Sequence, residues 1–158
     1  MKNFFLSFIM LALGCQLTLA QSVQKIDFKT FESHIKTQSD TTYLYNFWAT
    51  WCKPCIKELP YLQQAKANHK DDKFQIVYVS LDFPDQLSLV ESFVARKALD
   101  PVWMLDEPDA NSWIDKVSPK WSGAIPASLM VNQASGLYEF HEGSFTQESL
   151  DSWIASYQ

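Results

Sequence analysis

Apolar positions along the chain fall into blocks whose spacing alternates between helical and extended periods. After Asp27, a good N-cap, Phe28, Phe31 and Ile35 recur at helical spacing and predict a short amphipathic helix, with residues 23–26 as its lead-in. Gln38-Ser39-Asp40 is a polar break, and the β-branched and aromatic residues 41–47 predict the first core strand. Cys55, Leu59 and Leu62 return to a helical period. Pro60 lies inside that helix, removes one backbone hydrogen bond and predicts a kink. Residues 74–81 are almost continuously apolar, as a central parallel strand requires. Pro84 opens a helix carrying Leu87, Val90, Phe93 and Val94. Residues 101–105 predict a short strand, and 109–117 a short helix with Trp113 and Ile114 inward. Residues 127–131 and 137–141 flank Asn132-Gln133-Ala134-Ser135-Gly136, a hairpin signal. Thr146 caps a last helix with Leu150, Trp153 and Ile154 on one face. This order predicts an α/β fold, a mixed central β-sheet flanked by helices on both faces.

Composition narrows the picture. With 158 residues, 47% of them hydrophobic and 15% aromatic, the chain can bury one real core and is not a disordered sequence. Met1-Lys2-Asn3 and the apolar residues 4–13 resemble a secretory signal whose core is too short to span a bilayer. Thr18-Leu19-Ala20 offers cleavage after Ala20, which divides the chain into a signal peptide, 1–20, and a domain, 21–158. Ala12-Leu13-Gly14-Cys15 is an imperfect lipobox, with Ala where Leu is usual, so lipid anchoring at Cys15 is the less favoured processing. The formal net charge is −5, and loss of Lys2 makes it more negative; no basic run exists, which argues against nucleic acid as a partner. An exported chain left with one pair of cysteines works where disulfides persist, in the periplasm or another extracytoplasmic space.

That pair is Cys52 and Cys55, three apart in Trp48-Ala49-Thr50-Trp51-Cys52-Lys53-Pro54-Cys55, at the junction of the first core strand and the helix after it. Unpaired N–H groups at a helix start carry partial positive charge and favour a thiolate there, which makes Cys52 the candidate nucleophile. Cys55, one turn on and on the same side, can reach back and close a disulfide with it. A zinc site would need two further ligands, whereas His34, His69 and His141 are scattered. A c-type haem site would need His directly after the second cysteine, where Ile56 stands. A purely structural bridge over so short a loop would constrain little chain entropy. Dithiol–disulfide exchange remains, with no cofactor beyond the dithiol itself. Glu58, three residues after Cys55 and four before Leu62, shares their helix face; a partly desolvated carboxyl there has a raised pKa and could carry the proton Cys55 must lose. Lys53 places a positive charge beside Cys52, with a solvated surface lysine as the alternative, and Trp48 and Trp51 are candidates for an apolar collar around the sulfurs, Trp48 equally for plain core.

These residues resemble the active-site signature of the thioredoxin superfamily, and Gly123-Ala124-Ile125-Pro126 resembles that family's cis-proline loop. The signal segment, Glu58-Leu59-Pro60, and an extra helix and strand over 84–105 before the cis-proline loop are more narrowly similar to the TlpA/ResA-like exported thioredoxins. The resemblance implies a thioredoxin fold in which Cys52 is the exposed attacking cysteine and Cys55 the buried resolving one. It also implies a client-binding surface of Trp51, Pro54, Ile125 and a cis Pro126 that packs against the disulfide. Asn46 stands where many cytosolic thioredoxins carry a buried Asp, and exported relatives rely instead on an acid like Glu58. The activity implied is that of a monomeric disulfide reductase of exported proteins, apocytochromes c among them, recycled by a membrane electron donor of the DsbD/CcdA type. A disulfide donor or isomerase, or a non-catalytic binding module on the same fold, are the alternatives the residues leave open.

Overall fold

The computed structural model describes residues 23–70, 73–107 and 109–157. The expected signal segment and Cys15 lie outside the described residues. In chain order the elements are β1 (Val23–Ile26), α1 (Phe28–Lys36), β2 (Thr42–Trp48), α2 (Lys53–Asn68) and β3 (Phe74–Ser80). A 3-10 turn (Pro84–Gln86) leads into α3 (Leu87–Lys97), followed by β4 (Val102–Leu105). A second such turn (Ala110–Ser112), α4 (Ile114–Val117), β5 (Ala127–Asn132), β6 (Leu137–Glu142) and α5 (Gln147–Ala155) complete the chain. The six strands form one mixed sheet in the order β1-β4-β3-β2-β5-β6. The first four of these lie parallel, and β5 and β6 are each antiparallel to their neighbour.

Side chains on a strand alternate between faces, and β2 shows what that does to the core. Leu44 and Trp48 face the layer of α2, α3 and α5, where they meet Leu59, Leu62, Val90, Val94 and Ile154. Tyr45 and Phe47 face the other layer, with Phe28, Phe31 and Ile35 of α1 and with Trp113 and Trp121. Both faces of β2 and β3 are therefore covered, which is why each reads as a nearly continuous apolar run, interrupted by Asn46 in β2 and Gln75 in β3. Helix starts follow local chemistry: Asp27 accepts the Thr30 N–H at 2.8 Å, and Thr146 caps α5 by accepting the Ser149 N–H at 3.2 Å.

Three expectations are corrected. Residues 23–26 form an edge strand, paired in register with Val102–Leu105, not a lead-in. Its buried residues, Val23 and Ile26, are three apart, so four residues carry no period-two signal. The helix expected over 109–117 is broken at Trp113, whose backbone (φ −137°, ψ −22°) leaves the helical region as the indole turns in to stack on Phe28 at 5.9 Å. Ile114 is only half-buried there. Pro84 opens a 3-10 turn, and the α-helix starts at Leu87.

Candidate active site

The carboxyl ends of β2 and β3 and the loop before β5 meet above the start of α2, and the cysteines sit at that junction. Cys52 is the N-cap of α2 in an extended conformation, so its side chain lies at the helix mouth. Its sulfur accepts the Cys55 N–H at 3.3 Å, one of the amides the helix start leaves unpaired. Cys52 and Cys55 are joined in a disulfide with their Cα atoms 5.3 Å apart. The two sulfurs differ in access: Cys52 keeps 5% of its surface exposed and Cys55 none. Lys53 and Pro54 occupy the exposed first turn of α2, with Pro54 where a missing N–H costs nothing.

The Ile125–Pro126 peptide is cis, and the Ile125 carbonyl oxygen lies 3.7 Å from the Cys52 sulfur. A disulfide sulfur has no proton to donate, so this is a packing contact that only a reduced thiol turns into a hydrogen bond. Gly123, at φ +90°, allows the turn into this loop; a Cβ there would stand 3.3 Å from Ile114. A cleft of about 210 Å³ opens beside the disulfide, floored by Leu81, Trp113 and Ile114 and bounded by Ile125, Trp51 and Phe83. Trp51 and Phe83 are 60% and 65% exposed, two large apolar side chains left to water at the rim. Trp48 does not join this collar: it is fully buried against Phe93, 5.2 Å between ring centroids.

Glu58 is buried on α2, one turn beyond Cys55. One carboxyl oxygen accepts the Asn46 amide at 2.9 Å and the other accepts the Phe145 N–H at 2.8 Å. Burial pushes the Glu58 carboxyl above its ordinary value, and the two donors, Phe145 first, only partly hold it down. The Asn46 Nδ2 also reaches the Ser128 hydroxyl oxygen at 3.2 Å, while its Oδ1 is buried without a hydrogen bond. Turned over, the same amide would present Oδ1 to a protonated Glu58, so asparagine can serve both states of the acid where aspartate could not.

Because folding raises this pKa, the protonated Glu58 contributes stability that is fully present below the ordinary value of 4.5 and is lost as pH rises through the raised one. Glu58→Gln, a neutral mimic of the acid, is therefore expected to match wild type in acid and to become the more stable protein as pH rises above that value. The gap grows by about 1.4 kcal/mol per pH unit over the window in which only the unfolded chain has ionised. Urea midpoints of both proteins across a pH series measure it, and a constant difference at all pH values would refute it.

Residues that the sequence reading passed over complete the site. Asp82, just past β3, accepts the Thr50 N–H at 3.0 Å, the Thr50 hydroxyl at 2.5 Å and the Ser80 hydroxyl at 2.7 Å. It thereby ties the loop leading to Cys52 onto the neighbouring strand. The available signal was position: an acid and an aromatic, Asp82 and Phe83, directly after an apolar parallel strand, where α/β sheets place their functional groups. Among the described residues no group of three or more His, Cys, Asp or Glu is arranged to hold a metal ion.

Comparison with known proteins agrees with this geometry. The family model described as Redoxin matches residues 20–145. The chain is 27% identical over 154 residues to the thiol-disulfide oxidoreductase ResA of Geobacillus kaustophilus, spanning 98% of this chain and 83% of that protein. Two other ResA proteins are spanned over 54% and 59% of their length. Among solved structures, StoA from Bacillus subtilis superposes with a TM-score of 0.56 at 27% identity, covering 76% of this chain and 86% of that one. A thiol:disulfide interchange protein of the thioredoxin family from Chlorobium tepidum superposes with a TM-score of 0.61 at 21% identity, over 79% and 83% of the two chains, and shares the fold. With its thioredoxin-like sheet and its Cys52–Cys55 bridge, the chain belongs to the Redoxin family, as a thiol–disulfide oxidoreductase homologue of the ResA type.

Proposed function

We propose that the protein is an exported disulfide reductase that works through a mixed disulfide on Cys52. The observation that carries this reading is the asymmetry of the pair: one sulfur at a helix mouth under the Cys55 N–H, the other sealed behind it. In the reduced protein the Cys52 thiolate attacks one sulfur of a client disulfide. A Cys52–client bond forms, the client S–S bond breaks, and its other sulfur leaves as a thiolate that takes a proton. Cys55 then gives up its proton, attacks Cys52, re-forms the protein disulfide and releases the second client thiolate. Glu58, buried one turn from Cys55, is the group that accepts and returns that proton. Lys53 and the α2 N-terminus favour the Cys52 thiolate over the thiol.

The client is an exported protein whose disulfide presents an extended segment to Trp51, Pro54, Ile125 and Pro126; apocytochromes c are one such class. Electrons return from a membrane donor of the DsbD/CcdA type, with the domain outside the cytoplasm. In the test, Cys55→Ser removes the resolving sulfur, so a client caught on Cys52 stays attached. Expression of this variant in its own cells is expected to yield thiol-sensitive adducts that disappear when Cys52 is also replaced. Absence of adducts, where a thioredoxin with the same substitution yields them, would overturn the proposal.

A further inference from the structure

Asp82 is a carboxyl with 2% of its surface exposed, and every group it faces at hydrogen-bonding distance is a donor. The Thr50 N–H can only donate, and the Thr50 and Ser80 hydroxyls can turn to donate as well, a set that an ionised carboxylate accepts in full. Its own N–H donates to the Ser80 hydroxyl at 3.2 Å, which holds the acid against the last residue of β3. The Leu81 N–H donates to the Trp48 carbonyl at 2.8 Å, so the β2 and β3 ends are joined on both sides of it. Thr50, which it grips through both N–H and hydroxyl, stands two residues before Cys52. Two residues of chain reach at most about 7 Å. The turn between them closes on itself through the Cys52 N–H and the Ala49 carbonyl at 3.1 Å. The carboxyl is thus held against the turn that carries the attacking sulfur, with little water around it to screen a charge there. Glu107 on the same cleft adds the same sign; Lys53 and the helix start oppose it.

We propose that Asp82 is a positioning residue for the Cys52 turn and that its buried charge holds the Cys52–Cys55 couple toward the reducing end of its range. Reduction places a thiolate at Cys52, and a neighbouring anion disfavours that thiolate. Couples whose thiolate is well stabilised are the strong oxidants, so an anion here pushes the opposite way. The inference rests on the reductase reading above, because the direction of the couple matters only if it turns over.

The test equilibrates the protein with glutathione, in which one protein disulfide and two glutathione thiols give one protein dithiol and one glutathione disulfide. Asp82→Asn is expected to move this equilibrium about tenfold toward the dithiol, which corresponds to about 30 mV for the two-electron couple. The Cys52 thiolate absorbance should then titrate at lower pH than in wild type. Thr50→Val keeps the charge but removes its shortest hydrogen bond, leaving the anion less neutralised; it is expected to move the equilibrium toward the disulfide. A shift of Thr50→Val toward the dithiol would overturn the proposal even if Asp82→Asn did not fold. So would a folded Asp82→Asn variant within twofold of wild type. A wild-type protein that does not exchange with glutathione at all would instead remove the reductase reading beneath it.

Discussion

Cys52→Ser is expected to abolish turnover of protein disulfides, while Cys55→Ser keeps the first attack and stops at the adduct. A serine hydroxyl at the same helix mouth stays protonated throughout the working range and is no nucleophile toward a disulfide sulfur. Cys55 cannot stand in, because it is fully buried and no client disulfide can reach its sulfur. The same geometry sets the order of alkylation. In the reduced protein iodoacetamide is expected to label Cys52 well before Cys55, with a pH profile that follows the Cys52 thiolate. Insulin reduction and mass-mapped labelling read both outcomes, and the urea midpoint of each variant separates lost chemistry from lost stability. That separation is clean because a bridge closing so short a loop adds little to stability. Residual turnover in Cys52→Ser, or faster labelling of Cys55, would mean the roles are reversed.

The sequence showed most clearly what periodicity and a compact motif encode. Strands β2 and β3 stand out because both faces are buried, and the cysteine pair because, with Cys15 in the expected signal segment, the domain is left with no other thiol. Glu58 could be suspected from its helix face, but its partners could not. Asn46 is 12 residues away and the Phe145 amide 87, and only the sheet order brings them together. Asp82 was missed for a related reason. An acid after a strand looks like a solvated loop residue until the neighbouring strand is known to run out just before Thr50, 32 positions earlier. Trp48 read equally as collar or as core; the pleat sends it into the core, while Trp51, past the end of β2, stands in water. The cis bond at Asp100–Pro101, unlike that at Pro126, has no motif around it to betray it.

Phe31→Ala is expected to be the most destabilising truncation on the face of the sheet away from the disulfide. Helix α1 has nine residues, too few to persist alone in water, so it exists through the side chains it buries. Phe31 is its centre: fully buried, edge-on to Tyr45 at 5.2 Å and to Phe47 at 5.7 Å, and 6.1 Å from Phe28. Removing the ring leaves a cavity between α1 and the central strand β2 that cannot close without moving the sheet, and such changes cost about 3–5 kcal/mol. Against a total of about 5–15 kcal/mol for a domain, that is a large fraction of the stability. The urea midpoint should fall accordingly with an unchanged slope, since the surface exposed on unfolding hardly alters. The glutathione equilibrium of the folded variant should stay at the wild-type value, because Cys52, Cys55 and Glu58 pack on the opposite layer. A loss below about 1 kcal/mol would mean α1 can settle into the space. A shifted equilibrium would mean instead that the two layers are coupled through Tyr45 and Asn46, neighbours on β2 that face opposite ways.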